Sequence, residues 1–261
     1  MKLTENSILI TGGTSGIGLA LAKELTEKGN KVIVLGRNKQ KLEEVSENHP
    51  NILTYQGDVS DRSSLINLKN WLSIHMPNLN IVINSAGIMK AHNLLDSDLS
   101  VDDLLSDITI NLLGTITVNH IFLPQLLKQK ESMIVNISSG LAYLSSAPHP
   151  TYSASKAGIQ MYTSALRDQL IYAKKENVHV MELVPPLVSE TNLQSEDFSN
   201  TFGNMKLESL VLEALKGMEQ NKKRVNAGAA KQLRLMRQVA QNKAETYLAK
   251  ESLKQTFPEG L

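Results

Sequence analysis

A tyrosine and a lysine four residues apart are the pair in this sequence best suited to acid–base chemistry. Tyr152 and Lys156 lie in the segment YSASK, and a helical pattern continues to Lys175. A spacing of four places both side chains on one face of a helix. An ammonium group beside a phenol lowers the pKa of the phenol, which suits a general acid that protonates a carbonyl oxygen as hydride arrives. Such pairs also occur as surface packing, so the spacing alone does not establish a site.

A serine stands thirteen residues before the tyrosine, at the end of a strand-like segment. The segment MIVNIS covers 133–138, and Ser139 follows it. Ligands bind at the carboxyl ends of strands in open α/β sheets, so the Ser139 hydroxyl is expected to hold the same oxygen as Tyr152. Capping of a loop is the alternative role of this serine.

A glycine-rich segment, TGGTSGIG at 11–18, lies between the first strand-like run and the first helical pattern. Glycines there allow a tight turn and a close approach of the backbone to a pyrophosphate, and the helix N-terminus offers N–H groups and a favourable dipole. A purely structural strand-to-helix turn needs fewer glycines than cluster here. The residues expected to hold the phosphates are Gly12, Thr14, Ser15, Gly16, Ile17 and Gly18.

The end of the second strand-like run indicates which dinucleotide is bound. Gly36 and Arg37 stand where dinucleotide-binding folds usually carry an acid that accepts from the ribose hydroxyls of NAD. An acid would repel a 2′-phosphate, whereas an arginine would clamp it. Arg37 and the adjoining Asn38 are therefore expected to contact NADP(H), which is favoured over NAD(H). A solvated surface arginine is the alternative.

Asp58 and Val59 close the third strand-like run. A carboxylate at this point is expected to accept a hydrogen bond from an adenine amino group. The alternative is a residue that leads into the N-cap of the next helix.

Short apolar runs alternate with helical patterns along most of the chain. Strands are predicted at 7–11, 31–35, 52–55, 80–84, 133–138 and 178–184, and helices at 16–28, 38–47, 62–74, 101–128 and 152–175. Strands that alternate with helices form parallel sheets, and runs rich in Val and Ile fit strands covered on both faces. The predicted fold is an α/β, doubly wound parallel sheet of the Rossmann type.

The pattern weakens after Pro185 and Pro186, but no linker-like composition follows. A helix is predicted at 207–219, a short strand at 224–227 and a final helix at 229–250. We therefore expect one domain over 1–261. It comprises a cofactor-binding and catalytic core at 1–188, a substrate lid at 189–206 and a C-terminal helical extension at 207–261.

Composition excludes several classes of site. The chain has no cysteine, which excludes disulfides, thiolate chemistry and Cys-ligated metals and makes a reducing cytoplasm the expected location. The six histidines are scattered without the spacing of a zinc motif, so no metal is expected. A net charge of +1 gives no argument for nucleic acid. The longest tempting stretch, 108–127, carries too many polar residues for a membrane span.

Taken together, these motifs resemble the short-chain dehydrogenase/reductase family. The matching segments are TGGTSGIG at 11–18, Asp58-Val59, NSAG at 84–87, Asn111, Ser139, YSASK at 152–156 and a proline-rich turn at 185–191. They cover roughly residues 4–191, and their combination is far more specific than any one of them. The resemblance implies an oxidoreductase that interconverts a carbonyl and an alcohol by hydride transfer with NADP(H).

The resemblance also implies a role for each catalytic residue. Tyr152 would be the general acid/base, and Lys156 would lower its pKa and hold the nicotinamide ribose. Ser139 would position the substrate oxygen, and Asn111 would anchor a water in a proton relay. The family's common spacing of serine and tyrosine favours Ser139 over the neighbouring Ser138.

Further cofactor contacts are implied in the same way. Asn84, Ala86 and Gly87 would lie against the adenosine ribose and help to hold the central sheet. Pro185 and Val188 would contact the nicotinamide.

Two segments depart from the family pattern. Ser85 replaces the second asparagine of NNAG. The segment PGxVxT reads here as PPLVSET, and Pro186 cannot take the positive φ of the glycine that it replaces. The double proline is similar to a bacterial subset of these reductases, some of which are encoded beside genes for D-alanylation of teichoic acids.

Alternative functions on the same fold are a dinucleotide-binding regulator and an interaction protein that works through its C-terminal tail. The complete set of catalytic residues favours the enzyme. From Gln220 to Ala244 the chain has seven Lys or Arg and no acid, with Leu233, Met236 and Ala240 as an apolar stripe. This stripe is expected to pack on the core or on a partner subunit; contact with an anionic membrane surface is the alternative.

Partners are expected to be a small-molecule carbonyl or alcohol and a second copy of the chain. The family pairs its long helices, here 101–128 and 152–175, into homodimers or homotetramers. Within 189–205 the lid carries Glu190, Glu196 and Asp197 and no basic residue, which disfavours a highly anionic substrate.

Overall fold

The computed structural model describes residues 1–188, 191 and 204–260. Within these residues seven parallel strands form one sheet in the order β3-β2-β1-β4-β5-β6-β7. The strands are β1 (Ser7–Thr11), β2 (Lys31–Gly36), β3 (Ile52–Gln56), β4 (Leu79–Asn84), β5 (Ser132–Ile137), β6 (Val178–Val184) and β7 (Arg224–Asn226). The order reverses between β1 and β4, which opens a crevice at the carboxyl ends of these two strands. The predicted doubly wound sheet is confirmed.

Helices cover both faces of the sheet, because alternate strand residues point to opposite sides. The helices are α1 (Gly16–Glu27), α2 (Lys39–Asn48), α3 (Arg62–His75), α4 (Val101–Asp107), α5 (Gly114–Leu126), α6 (Pro150–Tyr172), α7 (Leu207–Glu219) and α8 (Ala230–Thr256). Ile8 and Ile10 pack with residues of α1, α2 and α7, and Leu9 packs with residues of α3, α5 and α6.

The long helix predicted at 101–128 is interrupted. Between α4 and α5 lies a π-helical turn, Ile108–Leu113. Asn111 lies within this turn, and its side chain is buried. Its Oδ1 accepts a hydrogen bond from the backbone N of Ile88, and its Nδ2 donates one to the carbonyl oxygen of Ile88. The wider π-helical turn accommodates these hydrogen bonds of Asn111. Hydrophobic periodicity alone does not predict such a turn.

The C-terminal extension has the three predicted elements, α7, β7 and α8. Strand β7 adds to the edge of the sheet beside β6. Helix α8 differs from the prediction, because it continues to Thr256 and is broken at Ala240, where φ is −149° and ψ is 40°.

The segment proposed as a substrate lid lies almost entirely outside the described residues. Within the part of the chain that the structure describes, no helix is long and apolar enough to cross a membrane.

Candidate active site

A cavity of about 590 Å³ opens at the carboxyl edge of the sheet. Most of the residues predicted to bind a dinucleotide or to act on a substrate line it. They are Gly12, Thr14, Ser15, Gly16, Ile17, Arg37, Asn38, Asp58, Val59, Ala86, Gly87, Ser139, Tyr152, Lys156, Pro185 and Val188. Gly18, Asn84 and Asn111 are not among the lining residues.

The glycine loop is built for close backbone approach. Gly12 has φ +65°, and a Cβ there would lie 2.6 Å from the Cα of Ala86. Gly16 has φ +50°, a conformation that other residues rarely adopt. Gly18 takes a packing role, because a Cβ on it would lie 2.4 Å from the carbonyl oxygen of Gly12.

The loop leads into α1, whose N-terminus faces the cavity. Ser15 stands at the N-cap, and its side chain does not cap the helix. The first N–H groups of a helix have no partner within the helix, and the helix dipole favours an anion there. The glycine cradle and these N–H groups together fit the pyrophosphate of a dinucleotide.

Basic side chains gather where β2 ends. A Cβ on Gly36 would lie 2.7 Å from Thr14, so the absence of a side chain brings the strand end against the loop. Arg37 is more than half exposed, and its Nη1 lies 3.7 Å from Oδ2 of Asp58. Lys41, which the sequence analysis missed, also lines the cavity. Its position in the first turn of α2, directly after β2 and Arg37, is the signal that points to it.

Asp58 is more constrained than expected. Its Oδ1 accepts hydrogen bonds from the backbone N and the hydroxyl of Ser60, at 2.8 and 2.7 Å. Oδ2 faces Arg37, so this carboxylate orients the arginine at the cavity wall. The N-cap of the following helix is Asp61 instead.

Tyr152, Lys156 and Ser139 converge at the inner end of the cavity. Ser139 caps a short 3-10 helix after β5, Gly140–Ala142, where its oxygen accepts from the backbone N of Leu141 at 3.2 Å. The Ser139 side chain also acts on the Tyr152 phenol, whose pKa it lowers. The Lys156 Nζ lies 5.5 Å from the centre of the tyrosine ring and donates to the carbonyl oxygen of Ile137 at 3.0 Å. Loop capping and phenol contact are therefore combined in one serine.

The expected lowering of the tyrosine pKa by the lysine is not found. Burial raises the pKa of Tyr152 to about 12, with the Ser139 hydrogen bond opposing and the charge of Asp107 adding to it. Burial likewise lowers the pKa of Lys156 to about 8. Both effects arise because neither charged form is solvated in this pocket. The phenol is held as a neutral acid, which is the form that donates a proton.

Ser138 also lines the cavity, but its side chain has another partner. Its hydroxyl donates to Oε1 of Glu182 at 2.6 Å, and Glu182 is fully buried between Arg224 and Gln160. A serine held by a buried carboxylate belongs to the β6–β7 packing, which supports Ser139 as the serine that faces the substrate.

Asn111 lies behind the catalytic group. Its Oδ1 accepts from the backbone N of Ile88 at 2.8 Å, and its Nδ2 donates to the Ile88 carbonyl oxygen and to Oγ of Ser155. These bonds fix the loop after β4. A Cβ on Gly87 would lie 3.5 Å from the Lys156 Nζ, so the position of this loop sets the room for the lysine.

Asn84 takes the second of the two roles expected of it. Its Nδ2 donates to Oδ1 of Asn119 at 2.7 Å and to Oδ1 of Asn136 at 2.8 Å. Asn136 in turn donates to Thr163. This buried amide chain ties β4, β5, α5 and α6 together, and Asn84 does not line the cavity.

The proline-rich turn closes one wall. The carbonyl oxygen of Pro185 accepts from the backbone N of Gly140 at 2.9 Å, which joins the turn after β6 to the serine loop. Val188 lines the cavity, and its carbonyl accepts from the hydroxyl of Thr191 at 2.8 Å. Thr191 lies against Gly16, so this turn also borders the glycine loop.

Several lining residues at the far end were not predicted. His149 stands at the N-cap of α6, and its spacing of three from Tyr152 is the signal that points to it. Leu233 and Met236 of α8 line the cavity, and Leu233 packs against Tyr143 and Val184, but Met236 is 40% exposed, so only part of the predicted apolar stripe packs on the core. Leu248 and Ser252 line it as well, from beyond the break at Ala240.

Comparison with known proteins agrees with this geometry. Residues 6–201 match the family described as short chain dehydrogenase. This chain belongs to that family. A protein of Bacillus subtilis (strain 168), "Uncharacterized oxidoreductase DltE", is 39% identical over 230 residues, which are 86% of this chain and 89% of that protein. An "Uncharacterized oxidoreductase" of Staphylococcus epidermidis (strain ATCC 12228 / FDA PCI 1200) is 31% identical over 76% of this chain and 84% of its own. The name DltE agrees with the bacterial subset that the double proline suggested.

Solved structures share the fold. A short chain dehydrogenase from Burkholderia cenocepacia J2315 in complex with NADP has a TM-score of 0.79 at 20% identity and covers 95% of this chain and 99% of its own. A short chain dehydrogenase/reductase from Burkholderia phymatum in complex with NAD has a TM-score of 0.80 at 18% identity, over 93% and 96%. The chain is therefore an NAD(P)-dependent oxidoreductase of this family, and the predicted resemblance is confirmed.

Proposed function

We propose that this protein is an NADP(H)-dependent carbonyl reductase in which Tyr152 is the general acid. The observation that carries the proposal is one cavity with a glycine cradle at one end and the Ser139–Tyr152–Lys156 group at the other.

The cofactor would be held by the groups already described. The N–H groups at the start of α1 bind the pyrophosphate, and the Lys156 ammonium donates to the nicotinamide ribose. When bound, the reduced nicotinamide supplies a hydride to the carbonyl carbon of the substrate. Val188 and Pro185 form the wall on that side of the cavity.

The side chains of the protein then deliver one proton to the substrate oxygen. Ser139 donates a hydrogen bond to the substrate oxygen and keeps it beside the phenol. Tyr152 transfers its proton to that oxygen as negative charge develops, and the neighbouring ammonium of Lys156 stabilises the phenolate that remains. Asn111 is a positioning residue that fixes the loop beside Lys156.

Preference for NADP(H) rests on charge at the end of β2. Arg37 and Lys41 both line the cavity there, and Gly36 adds no acid. A guanidinium forms two hydrogen bonds to a phosphate, and a second cation adds to the attraction.

Cytoplasmic location and self-association complete the proposal. The lack of cysteine suits a reducing compartment. Leu113 on the π-helical turn and Met161 on α6 are 51% and 71% exposed, which supports burial of this face by a second copy. Light scattering is expected to give at least a dimer of the 28.7 kDa chain, and a Met161→Lys variant is expected to shift the particle toward the monomer.

The direct test uses the purified full chain. NADPH and NADH are titrated by fluorescence, and oxidation of NADPH is followed by absorbance with a panel of aldehydes and ketones. We expect tighter binding of NADPH and turnover with at least one carbonyl. Failure to bind either dinucleotide would refute the proposal.

A further inference from the structure

The two ends of the cavity differ in charge. Within the described chain, the charged side chains that line it are Arg37, Lys41, Asp58 and Lys156. The first three lie where β2 and β3 end, and the last belongs to the catalytic group. Beyond Tyr152 the described lining is uncharged. Apolar side chains there are Ile88, Met89, Leu141, Leu233, Met236 and Leu248, and uncharged polar ones are Ser145, Ser146, Gln232, Ser252, Gln255 and Thr256.

One titratable side chain, His149, faces this uncharged end in the described part of the chain. It is 6% exposed, and its Nδ1 lies 2.9 Å from the hydroxyl of Ser146, which also lines the cavity. It stands one helical turn before Tyr152, so both side chains face the same space. Burial is the main cause that lowers the pKa of His149 to about 4, so the imidazole is neutral at working pH.

The groups behind His149 help to keep it neutral. His92 is buried, with its Nε2 3.5 Å from Oδ2 of Asp107 and its Nδ1 3.9 Å from Oδ2 of Asp103. Lys90 pairs with Asp103 as well. The two carboxylates of this cluster therefore face His92 and Lys90, and the proximity of His92 is a second cause that lowers the pKa of His149.

A neutral imidazole both donates and accepts hydrogen bonds but offers no ion pair. An anion that entered this end would lose its hydration and would find no counter-charge among the described lining residues, which is costly. A neutral oxygen would meet hydrogen-bonding groups on His149 and Ser146 instead.

We propose, on the basis of the function proposed above, that the substrate is an uncharged carbonyl compound with an apolar body. His149 and Ser146 form a subsite that binds a neutral oxygen of this substrate at a distance from the reacting carbonyl. The subsite positions the substrate and does not take part in proton transfer.

Two aldehydes of the same shape test the substrate class. Methyl para-formylbenzoate carries a neutral ester, whereas para-formylbenzoate carries a carboxylate at the same position. With the full-length enzyme and saturating NADPH at neutral pH, we expect kcat/KM for the ester to exceed that for the acid by at least about tenfold, the effect of ~1.4 kcal/mol of lost solvation. Equal values for both, including no reduction of either, overturn the proposal.

Variants of the histidine test the subsite. His149→Leu is expected to raise KM for the ester by about two- to tenfold, the range for one neutral hydrogen bond, with a smaller change in kcat. His149→Gln keeps a donor and an acceptor and is expected to restore KM. His149→Arg supplies a cation and is expected to narrow the preference for the ester over the acid. A preference that is the same in all three variants overturns the role of His149.

The dissociation constant of NADPH separates this inference from the proposed function. It is expected to be unchanged in the three His149 variants, because the residue lies at the other end of the cavity from the 2′-phosphate groups. An enzyme that binds NADPH and reduces both probes equally contradicts only the substrate class. An enzyme that does not bind NADPH contradicts the proposed function itself.

Discussion

At the end of the cavity near β2 and β3, partly exposed charged side chains stand beside the N-terminus of α1, whereas at the opposite end a buried histidine stands among uncharged side chains. Arg37 is 56% exposed and Asp58 31%, but His149 is only 6% exposed. Exposed ion pairs are screened by salt, and buried apolar contacts are not. Cofactor affinity should therefore fall as ionic strength rises, while KM for a neutral carbonyl should change much less.

Tyr152 lies between these two ends of the cavity, and its contribution to kcat should be separate from the binding of either ligand. Tyr152→Phe keeps the ring and removes the proton donor, so kcat is expected to fall by about 10²–10⁴-fold with little change in NADPH affinity. Steady-state kinetics and fluorescence titration measure the two quantities.

Tyr143→Phe is the matched control for this change. Tyr143 is also buried and donates to Oδ1 of Asn226 at 2.7 Å, but it does not line the cavity. Turnover should be nearly unchanged in this variant. A Tyr152→Phe enzyme as active as wild type would exclude Tyr152 as the acid.

Burial of the Lys156 ammonium lowers the free energy of unfolding of the protein. Its pKa is about 8 in the folded chain against 10.5 for a solvated lysine, so the folded state binds fewer protons between these values. The free energy of unfolding of the cofactor-free protein should therefore increase as pH rises from 8 to 10.5, and the lysine should cost about 3 kcal/mol at neutral pH. Activity should change in the opposite direction, since the ammonium loses its proton as pH rises through about 8.

Lys156→Met separates these effects. The variant should unfold at a higher denaturant concentration than wild type at neutral pH, with the difference shrinking above pH 8, and should lose turnover. A variant less stable than wild type at neutral pH would show that burial of the Lys156 ammonium does not destabilise the protein.

Arg37→Asp should reverse the dinucleotide preference. Loss of a charge-assisted clamp and gain of a repulsive charge should lower NADPH affinity by roughly 10- to 100-fold and leave NADH affinity much less affected. Lys41→Ala should give a smaller loss for NADPH.

Lys39→Ala is the control for Lys41→Ala, because both lysines lie in α2 but Lys39 does not line the cavity. Its Nζ lies 3.7 Å from the carboxylate of Glu43. Equal affinity for both dinucleotides before and after the Arg37 change would remove Arg37 from the site.

The two ends of the cavity also differ in how well the sequence predicts their residues. The glycine loop is a contiguous backbone motif, and Tyr152 and Lys156 are separated by one helical turn, so local rules find them. The parallel pairing of the strands follows from the alternation of strands and helices. Along 101–128, periodicity did not predict the π-helical turn, because a buried amide of Asn111 decides it.

The substrate end depends on distant parts of the chain. Leu248 reaches the cavity because α8 breaks at Ala240, and alanine is a good helix former that gives no signal of a break. The raised pKa of Tyr152 follows from burial, which motif spacing does not report.

The smallest predicted effect tests whether α8 belongs to the substrate end alone. A Cβ on Gly140 would lie 2.7 Å from Cδ1 of Leu233, the far end of a flexible side chain. Gly140→Ala should therefore move this leucine within the cavity at a cost of about 1 kcal/mol or less, raising KM for a neutral aldehyde by at most about fivefold. Gly158→Ala is the matched control, because its Cβ would meet Leu112 at the same 2.7 Å and neither residue lines the cavity. NADPH affinity should be unchanged in both variants. If Gly140→Ala weakened NADPH as much as the aldehyde, α8 would contact both ligands and the two ends of the cavity would not be separate binding surfaces.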